Sequence, residues 1–366
     1  MNLKKSLRNS YSIINPNQVS YMIFYITNRC NFRCNFCFYS AEIEKGLKPN
    51  EMSVEEIRKF APTIGPLVQL SMTGGEPFIR KEFPEIAGIL IDATDAKWVT
   101  IPTNASATNR MISFLEEILP RFPDTYFRLT FSIEGIGEVH DNLRSMPGSY
   151  KKIQKSYEAI SPLRAKFSNL VLDCNSVFTA SSETYLLDTV KELDKKFHFD
   201  NMSVTYARGN IKDEKLKNVS KTRYKLINDF LELREKSKEK RLLYPLWRGV
   251  NSVTRTNLMR TVFDNEFVSS CVAGRKLLVV SETGEVQPCE ILGKSIGNLR
   301  NHNWDLTKLL KENSVKNMQK WIKDTKCKCS FECALAANVV WKPQNYPKVA
   351  AAAIKHLGKS IVDHSK

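Results

Sequence analysis

The sequence lacks several features that would place it outside the ordinary globular class. No stretch reaches the ~18 consecutive apolar residues that a membrane-spanning helix needs, so no integral membrane segment is expected. Glycine and proline number 15 each, too few for a collagen-like or low-complexity chain, and there is no internal repeat. After a basic start, residues 6–18 are polar where a secretory signal needs about 7–15 apolar residues, which predicts a cytoplasmic protein.

What is present predicts an α/β protein with a sizeable core. Hydrophobic residues make up 42% and charged residues 26% of the chain, as in ordinary globular proteins. The length of 366 residues is more than one small module requires. Lysine and arginine number 55 against 39 acidic residues, giving a net charge of +16, which is typical of proteins that meet nucleic acid, anionic lipid or acidic substrates. The densest basic stretch, residues 212–241, is interleaved with acids and therefore predicts a solvated helical face.

Apolar runs that alternate with segments of helical period predict βα units around a parallel sheet. The strand candidates are Met22–Thr27, Val68–Thr73, Val99–Pro102, Phe127–Ile133, Leu170–Phe178 and Met202–Tyr206. The helix candidates are one that begins at a capping box of Ser53 and Glu56, and Met111–Leu119, Tyr150–Ile160 and Tyr185–Lys196. The units are about 30 residues long and end near residue 206, so their number is smaller than the eight of a full barrel. The predicted fold is an incomplete (β/α)6 TIM-type barrel with a small C-terminal domain.

The same patterns predict five segments along the chain. They are an N-terminal extension over residues 1–19, the partial barrel over 20–208, a basic helical bridge over 209–266, a cysteine-rich domain over 267–340 and a tail helix over 341–366. The bridge has one predicted apolar face, formed by Tyr224, Ile227, Phe230 and Leu231. In the cysteine-rich domain, Leu277–Ser281 and Glu285–Gln287 predict a hairpin, and a helix is predicted near Trp304–Trp321.

The nine cysteines fall into two clusters. Three lie within Cys30–Cys37 and five within Cys271–Cys333, and Cys174 stands alone. In a reducing compartment, such clusters predict metal sites rather than disulfides.

The first cluster has the spacing Cys30-x3-Cys34-x2-Cys37 and directly follows the first predicted strand. Three ligands are one too few for a closed structural zinc site, and the nearest histidine is the distant His140. A four-iron cube held by three cysteines instead leaves one iron open to a substrate or cofactor. The loop also lies at the carboxyl end of its strand, where βα barrels place their chemistry. The pattern therefore indicates a reactive iron–sulfur site, with structural zinc as the alternative.

Together with Phe36 just before its third cysteine, this motif resembles the signature of the radical S-adenosylmethionine (SAM) superfamily. One βα unit later, Gly74-Gly75-Glu76-Pro77 is similar to the second motif of that superfamily. Glycines let a backbone approach a ligand closely, and Glu76 can accept hydrogen bonds from a cationic amino group. The resemblance implies that the three cysteines hold a 4Fe–4S cluster and that this cluster binds SAM.

Polar residues at the ends of later strands extend the resemblance. Asn104, Ser132 and Arg144 resemble positions that hold the ribose and the methionine carboxylate of SAM in relatives. Ser132 and Asn104 offer hydroxyl and amide partners, and Arg144 can grip a carboxylate as a bidentate fork. Glu134 departs from the more usual Asp, and Asn175 is a further candidate to face the ligand.

The second cluster resembles the first half of a SPASM domain. Cys271 is followed by twelve residues, Gly284, four residues and Cys289, and then by Cys327, Cys329 and Cys333. A full SPASM region carries seven cysteines, so five resemble a twitch domain with one auxiliary 4Fe–4S cluster and one thiol left over. A four-cysteine zinc site is the alternative. The spacing does not say which four cysteines bind.

The leftover thiol suggests a hypothesis of its own. If Cys329 or the isolated Cys174 points into the barrel, it could donate a hydrogen atom to a substrate radical, which favours epimerisation over oxidation. The alternative is an inert buried cysteine.

The resemblance spans Ile26 to Cys333 and implies an enzyme that cleaves SAM reductively and abstracts a hydrogen atom with a 5′-deoxyadenosyl radical. Oxidation, epimerisation and cross-linking of a small molecule, sugar, lipid or peptide all stay open. A one-electron reductant such as flavodoxin or ferredoxin is the expected partner, and the charge of +16 agrees with an anionic substrate.

Three alternatives accompany this prediction. A peptide-modifying SPASM maturase is one, although fewer than 30 residues precede the first cysteine, which argues against an added leader-recognition domain. Radical methyl transfer is the second, but no region of cobalamin-domain size precedes the barrel. The third is a non-catalytic zinc–cysteine protein that binds nucleic acid, a partner not otherwise expected here.

Overall fold

The structure is a computed structural model that describes residue 12 and residues 15–45, 50–236 and 244–362. Most of the predicted N-terminal extension therefore lies outside the described residues, as do residues 237–243 of the bridge and residues 363–366 of the tail.

In the described part of the chain, nine strands form one sheet. The strands are β1 Tyr21–Thr27, β2 Gln69–Gly74, β3 Trp98–Thr103, β4 Tyr126–Ser132, β5 Leu170–Phe178, β6 Asn201–Tyr206, β7 Leu277–Val280, β8 Glu285–Gln287 and β9 Gly297–Asn298. Their order is β6-β5-β4-β3-β2-β1-β7-β8-β9. All pairs from β6 to β7 are parallel, and the last two pairs are antiparallel. The predicted six-stranded parallel sheet and the hairpin of β7 and β8 are both confirmed.

Helices fill the connections between these strands. They are α1 Ser40–Glu44, α2 Val54–Phe60, α3 Phe83–Thr94, α4 Thr108–Arg121, α5 Glu138–Leu143, α6 Ser149–Ile160, α7 Leu163–Lys166, α8 Leu186–Lys196, α9 Lys221–Lys236, α10 Tyr244–Val262, α11 Leu306–Leu309, α12 Asn313–Asp324, α13 Glu332–Val340 and α14 Tyr346–Val362. Short 3₁₀ turns occur at Ala61–Thr63, Pro77–Ile79, Glu214–Lys217, Leu299–His302 and Pro343–Asn345.

The predicted helices are present, and the structure adds five that were not predicted: α1, α3, α5, α7 and α13. The capping box of Ser53 and Glu56 begins α2, as expected. The sequence pattern did not predict α3, because a short apolar run does not by itself distinguish a helix from a buried strand. The single helix predicted near residues 304–321 is instead the pair α11 and α12.

Side chains of β1 alternate between two cores. Met22, Phe24 and Ile26 pack with the helices, whereas Tyr21 and Tyr25 face the other side of the sheet, the inner face. Strand residues point alternately to opposite faces, so the same alternation sorts the residues of β2 to β6. The fold is therefore a partial TIM barrel whose helices cover one face and whose inner face is left for the site.

The cysteine-rich region continues this sheet. Strand β7 pairs with β1 in parallel, with Tyr21 opposite Leu277 and Phe24 opposite Val280. Strands β6 and β1 do not pair within the described sheet, so the barrel is open on that side. The domain boundaries stay predictions, and the sheet crosses from the predicted barrel segment into the predicted cysteine-rich segment.

The bridge packs against the outside of the barrel through its predicted apolar face. Tyr224, Ile227 and Leu231 are each 1% exposed, and Phe230 is partly buried against the same core. Arg234 fixes α9 further by an ion pair with Asp194 (2.5 Å). None of the described helices is both long enough and apolar enough to cross a bilayer.

Candidate active site

The cysteine triplet forms a tight loop at the carboxyl end of β1. The Cys37 N–H donates to the Cys34 carbonyl (3.2 Å), and the Phe32 N–H points to Cys30 Sγ (3.4 Å). All three thiols are free and partly buried. Burial raises the pKa of Cys30 to about 12 and that of Cys37 to about 11, and ionisation of Cys34 would raise both further. A cationic centre is therefore needed to stabilise three neighbouring thiolates here.

Two glycines lock this loop against β2. The Gly75 N–H donates to the Thr27 carbonyl and the Glu76 N–H to the Arg29 carbonyl, each at 2.8 Å. A Cβ on Gly74 would lie 2.2 Å from the Thr27 oxygen, and one on Gly75 would lie 2.0 Å from the Arg29 oxygen. Only glycine allows two backbones to approach this closely. The pair therefore sets the position of the cysteine loop, whereas its contact with a ligand stays a prediction.

Glu76 joins the ends of β2 and β3. Its carboxylate is 1% exposed and accepts hydrogen bonds from the Thr103 hydroxyl (2.9 Å), the Asn104 N–H (2.7 Å) and the Phe78 N–H (3.3 Å). Burial raises the pKa of Glu76 to about 7, and these donors oppose that shift. The Asn104 side chain in turn donates to Asn31 in the cysteine loop (2.9 Å). Two of the predicted SAM-binding residues are thus connected to each other and to the triplet.

Arg144 forms the predicted bidentate fork with a partner inside the protein. Its Nε and Nη2 donate to the two carboxylate oxygens of Glu134 at 2.6 and 2.7 Å. The guanidinium also lies 5.5 Å from the centroid of the Phe36 ring, and the Arg144 carbonyl lies 4.0 Å from Cys34 Sγ. Burial disfavours the charge of Arg144, but the negative charge of Glu134 more than offsets this effect and keeps the pKa of Arg144 above its usual value. The unusual glutamate thus fixes the arginine beside the triplet.

His140 supports the same carboxylate. It is fully buried, and its Nδ1 accepts the Glu134 N–H at 3.2 Å. Its Nε2 has no hydrogen-bond partner among the described residues. Burial lowers the pKa of His140 to about 4, so the ring is neutral at physiological pH.

The inner face of the barrel is lined by polar side chains. By alternation the polar side chains on this face from β2 to β6 are Ser71, Thr73, Thr100, Arg128, Thr130, Ser132, Asp173, Asn175, Asn201, Ser203 and Thr205. The same alternation places Tyr21, Ile23 and Tyr25 of β1 and Val171 and Val177 of β5 there. Arg128 is paired with Asp173 at 2.5 Å. In the part of the chain that the structure describes, the buried hydroxyls of Thr100 and Thr130 have no hydrogen-bond partner. The face therefore offers hydrogen-bonding groups and balanced charge to a bound molecule.

Two predicted residues on β4 and β5 lie on this face, and one candidate thiol does not. Ser132 is opposite Asn175 in the register, and Asn175 bonds Thr205 (3.2 Å) and Ser203 (2.8 Å). Cys174 instead lies in the core between β5 and the helices, where burial raises its pKa. It does not point into the barrel, so the hypothesis of hydrogen donation by Cys174 is wrong.

The five C-terminal cysteines separate into four and one. Cys271, Cys289, Cys327 and Cys329, called here the auxiliary thiol group, line a single cavity of about 420 Å³. Burial raises the pKa of Cys329, and the three other members raise it further. Cys333 does not line that cavity and interacts with the Tyr21 hydroxyl. Within the described residues, no three His, Cys, Asp or Glu side chains converge on one metal-ion position.

A partly buried ionic cluster lies where the barrel is open. Arg208, just past β6, pairs with Glu290 (3.2 Å) and Glu332 (3.3 Å), and Glu290 also accepts the Tyr25 hydroxyl (2.9 Å). The guanidinium lies 5.3 Å from the ring centroid of Phe38. The cluster joins β1, the end of β6, the cysteine loop and the cysteine-rich region.

This cluster was not predicted from the sequence, although a signal for it existed. Glu290 directly follows Cys289, Glu332 directly precedes Cys333, and Phe38 directly follows Cys37. Charged residues beside candidate ligands are reasonable supports for them. Their common partner, Arg208, has no such neighbour in the sequence.

Fold and site together define a βα-barrel enzyme that carries a thiol triplet at the carboxyl end of its first strand. Residues 24–173 match the family model of the radical SAM superfamily. This part of the chain therefore carries a radical SAM domain, and members of that superfamily use SAM and a 4Fe–4S cluster.

Curated relatives match the sequence of this chain over different lengths. The GTP 3′,8-cyclase of Actinobacillus pleuropneumoniae serotype 3 (strain JL03) is 33% identical over 102 residues, which cover 27% of this chain and 30% of that protein. The AdoMet-dependent heme synthase of Methanosarcina barkeri (strain Fusaro / DSM 804) is 25% identical over 291 residues, 75% of this chain and 78% of that protein. The chain thus spans less than a third of the length of the cyclase it matches.

Solved structures share the fold. The protein anSMEcpe with bound AdoMet superposes with a TM-score of 0.60 at 15% identity, over 93% of this chain and 99% of that one. SuiB from Streptococcus suis bound to S-adenosylmethionine gives a TM-score of 0.58 at 14% identity, over 83% and 68%. The likeness extends beyond the barrel into the cysteine-rich region.

Proposed function

We propose that this protein cleaves SAM reductively at the Cys30, Cys34 and Cys37 triplet and abstracts a hydrogen atom from a polar substrate in the barrel. The observation that carries this proposal is the triplet itself, three free thiols fixed by the backbone of Gly74 and Gly75 at the carboxyl end of β1. When bound, the 4Fe–4S cluster and SAM supply the 5′-deoxyadenosyl radical. The protein's own residues hold the reactants and keep water away.

The residues around the triplet suggest how SAM would be held. The Phe36 ring and the Arg144 guanidinium form one wall, and the pairing of Arg144 with Glu134 keeps that wall rigid. Ser132 and Asn104 end neighbouring strands and supply a hydroxyl and an amide. Glu76 anchors Asn104 from behind. These roles for Phe36, Gly74, Gly75, Glu76, Asn104, Ser132 and Arg144 are proposals.

The auxiliary thiol group is proposed to hold a second 4Fe–4S cluster. Its four members share one cavity, whereas Cys333 bonds Tyr21 and lies near Arg208 and Glu290. This geometry supports Cys333, rather than Cys329, as the thiol left over. Four thiolates leave no open iron, so this centre serves as an electron relay.

Iron counting tests that ligand set. The reconstituted wild-type protein is expected to hold about eight irons, and Cys329→Ala to lose most of the auxiliary iron. Cys333→Ala is expected to keep the wild-type count. If Cys333→Ala loses iron and Cys329→Ala does not, the assignment of the four ligands is wrong.

The inner face supports a polar substrate rather than a lipid tail. Hydroxyl and amide groups line it, and its two arginines, Arg128 and Arg208, are both paired with carboxylates. The net charge of +16 is thus not concentrated there among the described residues. An anionic substrate therefore gains no support from the lining, and oxidation, epimerisation and cross-linking stay open.

A peptide substrate is the second candidate. SuiB bound to its precursor peptide SuiA and anSMEcpe with the Cp18Cys peptide share this fold, with TM-scores of 0.55 and 0.58. A peptide backbone would also find hydrogen-bond partners on the polar inner face.

The experiment that tests the proposed function is anaerobic reconstitution with iron and sulfide, followed by SAM and dithionite. We expect 5′-deoxyadenosine, measured by chromatography and mass, from the wild type and from Cys174→Ala but not from Cys34→Ala. Cys174 is the matched control because its thiol lies in the helix-facing core. Zinc in place of iron together with salt-sensitive nucleic-acid binding would favour the non-catalytic alternative. A reducible cluster that yields no 5′-deoxyadenosine with any candidate substrate would contradict the proposal.

A further inference from the structure

The auxiliary thiol group lies in a cavity that reaches the protein surface. Ile291, Leu292 and Trp321 form its apolar walls. Trp321 is 36% exposed, and three of the four thiols are only partly buried. A metal centre on these thiols would therefore lie close to the surface, within reach of a molecule docked over the cavity.

Three lysines surround the mouth of this cavity, and we call them the lysine rim: Lys294, Lys326 and Lys328. Lys326 and Lys328 line the cavity, and Lys294 Nζ lies 4.0 Å from the centroid of the Trp321 ring. The lining contains no aspartate or glutamate. Among the residues that the structure describes, no carboxylate pairs with any of the three, and Lys328 Nζ instead bonds the oxygens of Asn265.

The lysine rim differs from two arginines beside the first cysteine cluster, because Arg29 is paired with Glu51 (3.1 Å) and Arg144 with Glu134. The third arginine there, Arg33, donates to the carbonyls of Cys30 and Phe32. The lysine rim is therefore a patch of uncompensated positive charge around an exposed tryptophan.

We propose that the lysine rim is the docking surface for a small acidic one-electron carrier protein, a flavodoxin or ferredoxin. This inference rests on the proposed function, because a carrier has a use here only if the auxiliary thiol group holds an iron–sulfur cluster. An aromatic anchor within a charged rim is a common arrangement of protein interfaces. Opposite charge steers the encounter and aligns the partners, and redox interfaces are small.

The step at this surface is the transfer of one electron. The reduced carrier loses one electron, and the auxiliary centre gains it, with no bond made or broken. A cationic rim favours the close approach of an acidic carrier and stabilises the added negative charge.

The test compares two triple variants of the reconstituted protein. One reverses the rim with Lys294→Glu, Lys326→Glu and Lys328→Glu. The matched control reverses three exposed lysines on α6 with Lys151→Glu, Lys152→Glu and Lys155→Glu, so that the net charge changes equally. Binding of flavodoxin and of a plant-type ferredoxin is measured by calorimetry at low and at physiological ionic strength. We expect the rim variant to bind at least about tenfold more weakly and the control to change less than about twofold.

Several results would overturn the inference. Equal loss in both variants would show that net charge alone attracts the carrier, and unchanged binding in the rim variant would place the surface elsewhere. Absence of salt-sensitive binding of either carrier to the wild type would contradict it, as would tighter binding of a random single-stranded RNA to the rim. Iron content separates the two levels: absence of iron on the auxiliary thiols refutes the proposed cluster, whereas a loaded protein that binds independently of the rim refutes only this docking surface.

Discussion

Buried carboxylates position the side chains around the cysteine triplet. Glu76 binds donors from the ends of two strands, and Glu134 binds both nitrogens of the Arg144 fork. Each carboxylate is about 1% exposed, so its hydrogen bonds are made in a low-dielectric setting where losing a partner is costly. The two glutamates therefore hold neighbouring side chains in place, a role that a sequence motif alone does not reveal.

The ion pair of Glu134 and Arg144 gives the first prediction. Glu134→Gln leaves the buried Arg144 without a counter-charge, and we expect a loss of about 3 kcal/mol in the free energy of unfolding. Urea unfolding of the metal-free protein measures it. Glu117→Gln is the control, because that glutamate pairs with Arg121 at 3.9 Å on the surface, and we expect a change under about 0.5 kcal/mol. Similar losses in both variants would contradict a special role for the buried pair.

His140 gives a prediction on pH. Burial lowers its pKa from 6.5 to about 4, so the folded state binds fewer protons than the unfolded state between these values. The contribution of the neutral His140 ring to the free energy of unfolding is then fully present above pH 6.5. It falls by about 3 kcal/mol as the pH is lowered towards 4. Urea unfolding of the metal-free protein at several pH values measures the slope. His140→Gln is expected to reduce the slope, whatever its effect on absolute stability, and an unchanged slope would contradict this account.

At the scale of elements, the cysteine loop depends on its contact with the end of β2. Backbone hydrogen bonds from Gly75 and Glu76 reach the carbonyls of Thr27 and Arg29, and the two glycines leave no room for a side chain. The spacing of the thiols is thus set by a strand that contributes no thiol. The second motif of the superfamily has a packing role here as well as its proposed role in binding.

This contact predicts a strong effect of one methyl group. Gly75→Ala would place a Cβ 2.0 Å from the Arg29 carbonyl oxygen, so the loop must move, at a cost of about 1–3 kcal/mol and with loss of iron from the triplet. Thermal unfolding and iron content measure the two effects. Gly88→Ala in α3 is the control, because its Cβ would meet only the movable side chain of Arg121. It is expected to be neutral or to stabilise by up to about 1 kcal/mol, and a Gly75→Ala protein that matches it would contradict the packing role.

At the scale of the whole molecule, the barrel is closed by side chains where the sheet leaves it open. Arg208 connects the end of β6 to Glu290 and Glu332 of the cysteine-rich region, and that region is attached to β1 through β7. The two cysteine clusters therefore belong to one connected structure. A relay between them needs such a fixed arrangement.

Removal of this connection is the last prediction. Arg208→Met removes the counter-charge of two partly buried carboxylates, Glu290 and Glu332, and we expect a loss of about 3 kcal/mol in the free energy of unfolding and faster hydrogen exchange at both the end of β6 and residues 289–292. Arg164→Met is the control, because Arg164 pairs with Asp200 at 3.4 Å near the surface and should contribute under about 1 kcal/mol. Faster exchange confined to the end of β6 would show that the cluster does not couple the two regions.

The sequence by itself determined the six parallel strands, most of the helices and the cysteine triplet, because periodicity, capping and spacing are local signals. Helix α3 was missed where the local signal was ambiguous. Only the tertiary structure decided that Glu134 fills the fork of Arg144, that Cys174 faces the helices and that Cys333 does not line the cavity of the auxiliary thiol group. The physical reason is distance along the chain: Arg208 meets its two glutamates across 82 and 124 residues, a pairing that folding creates and no local pattern records.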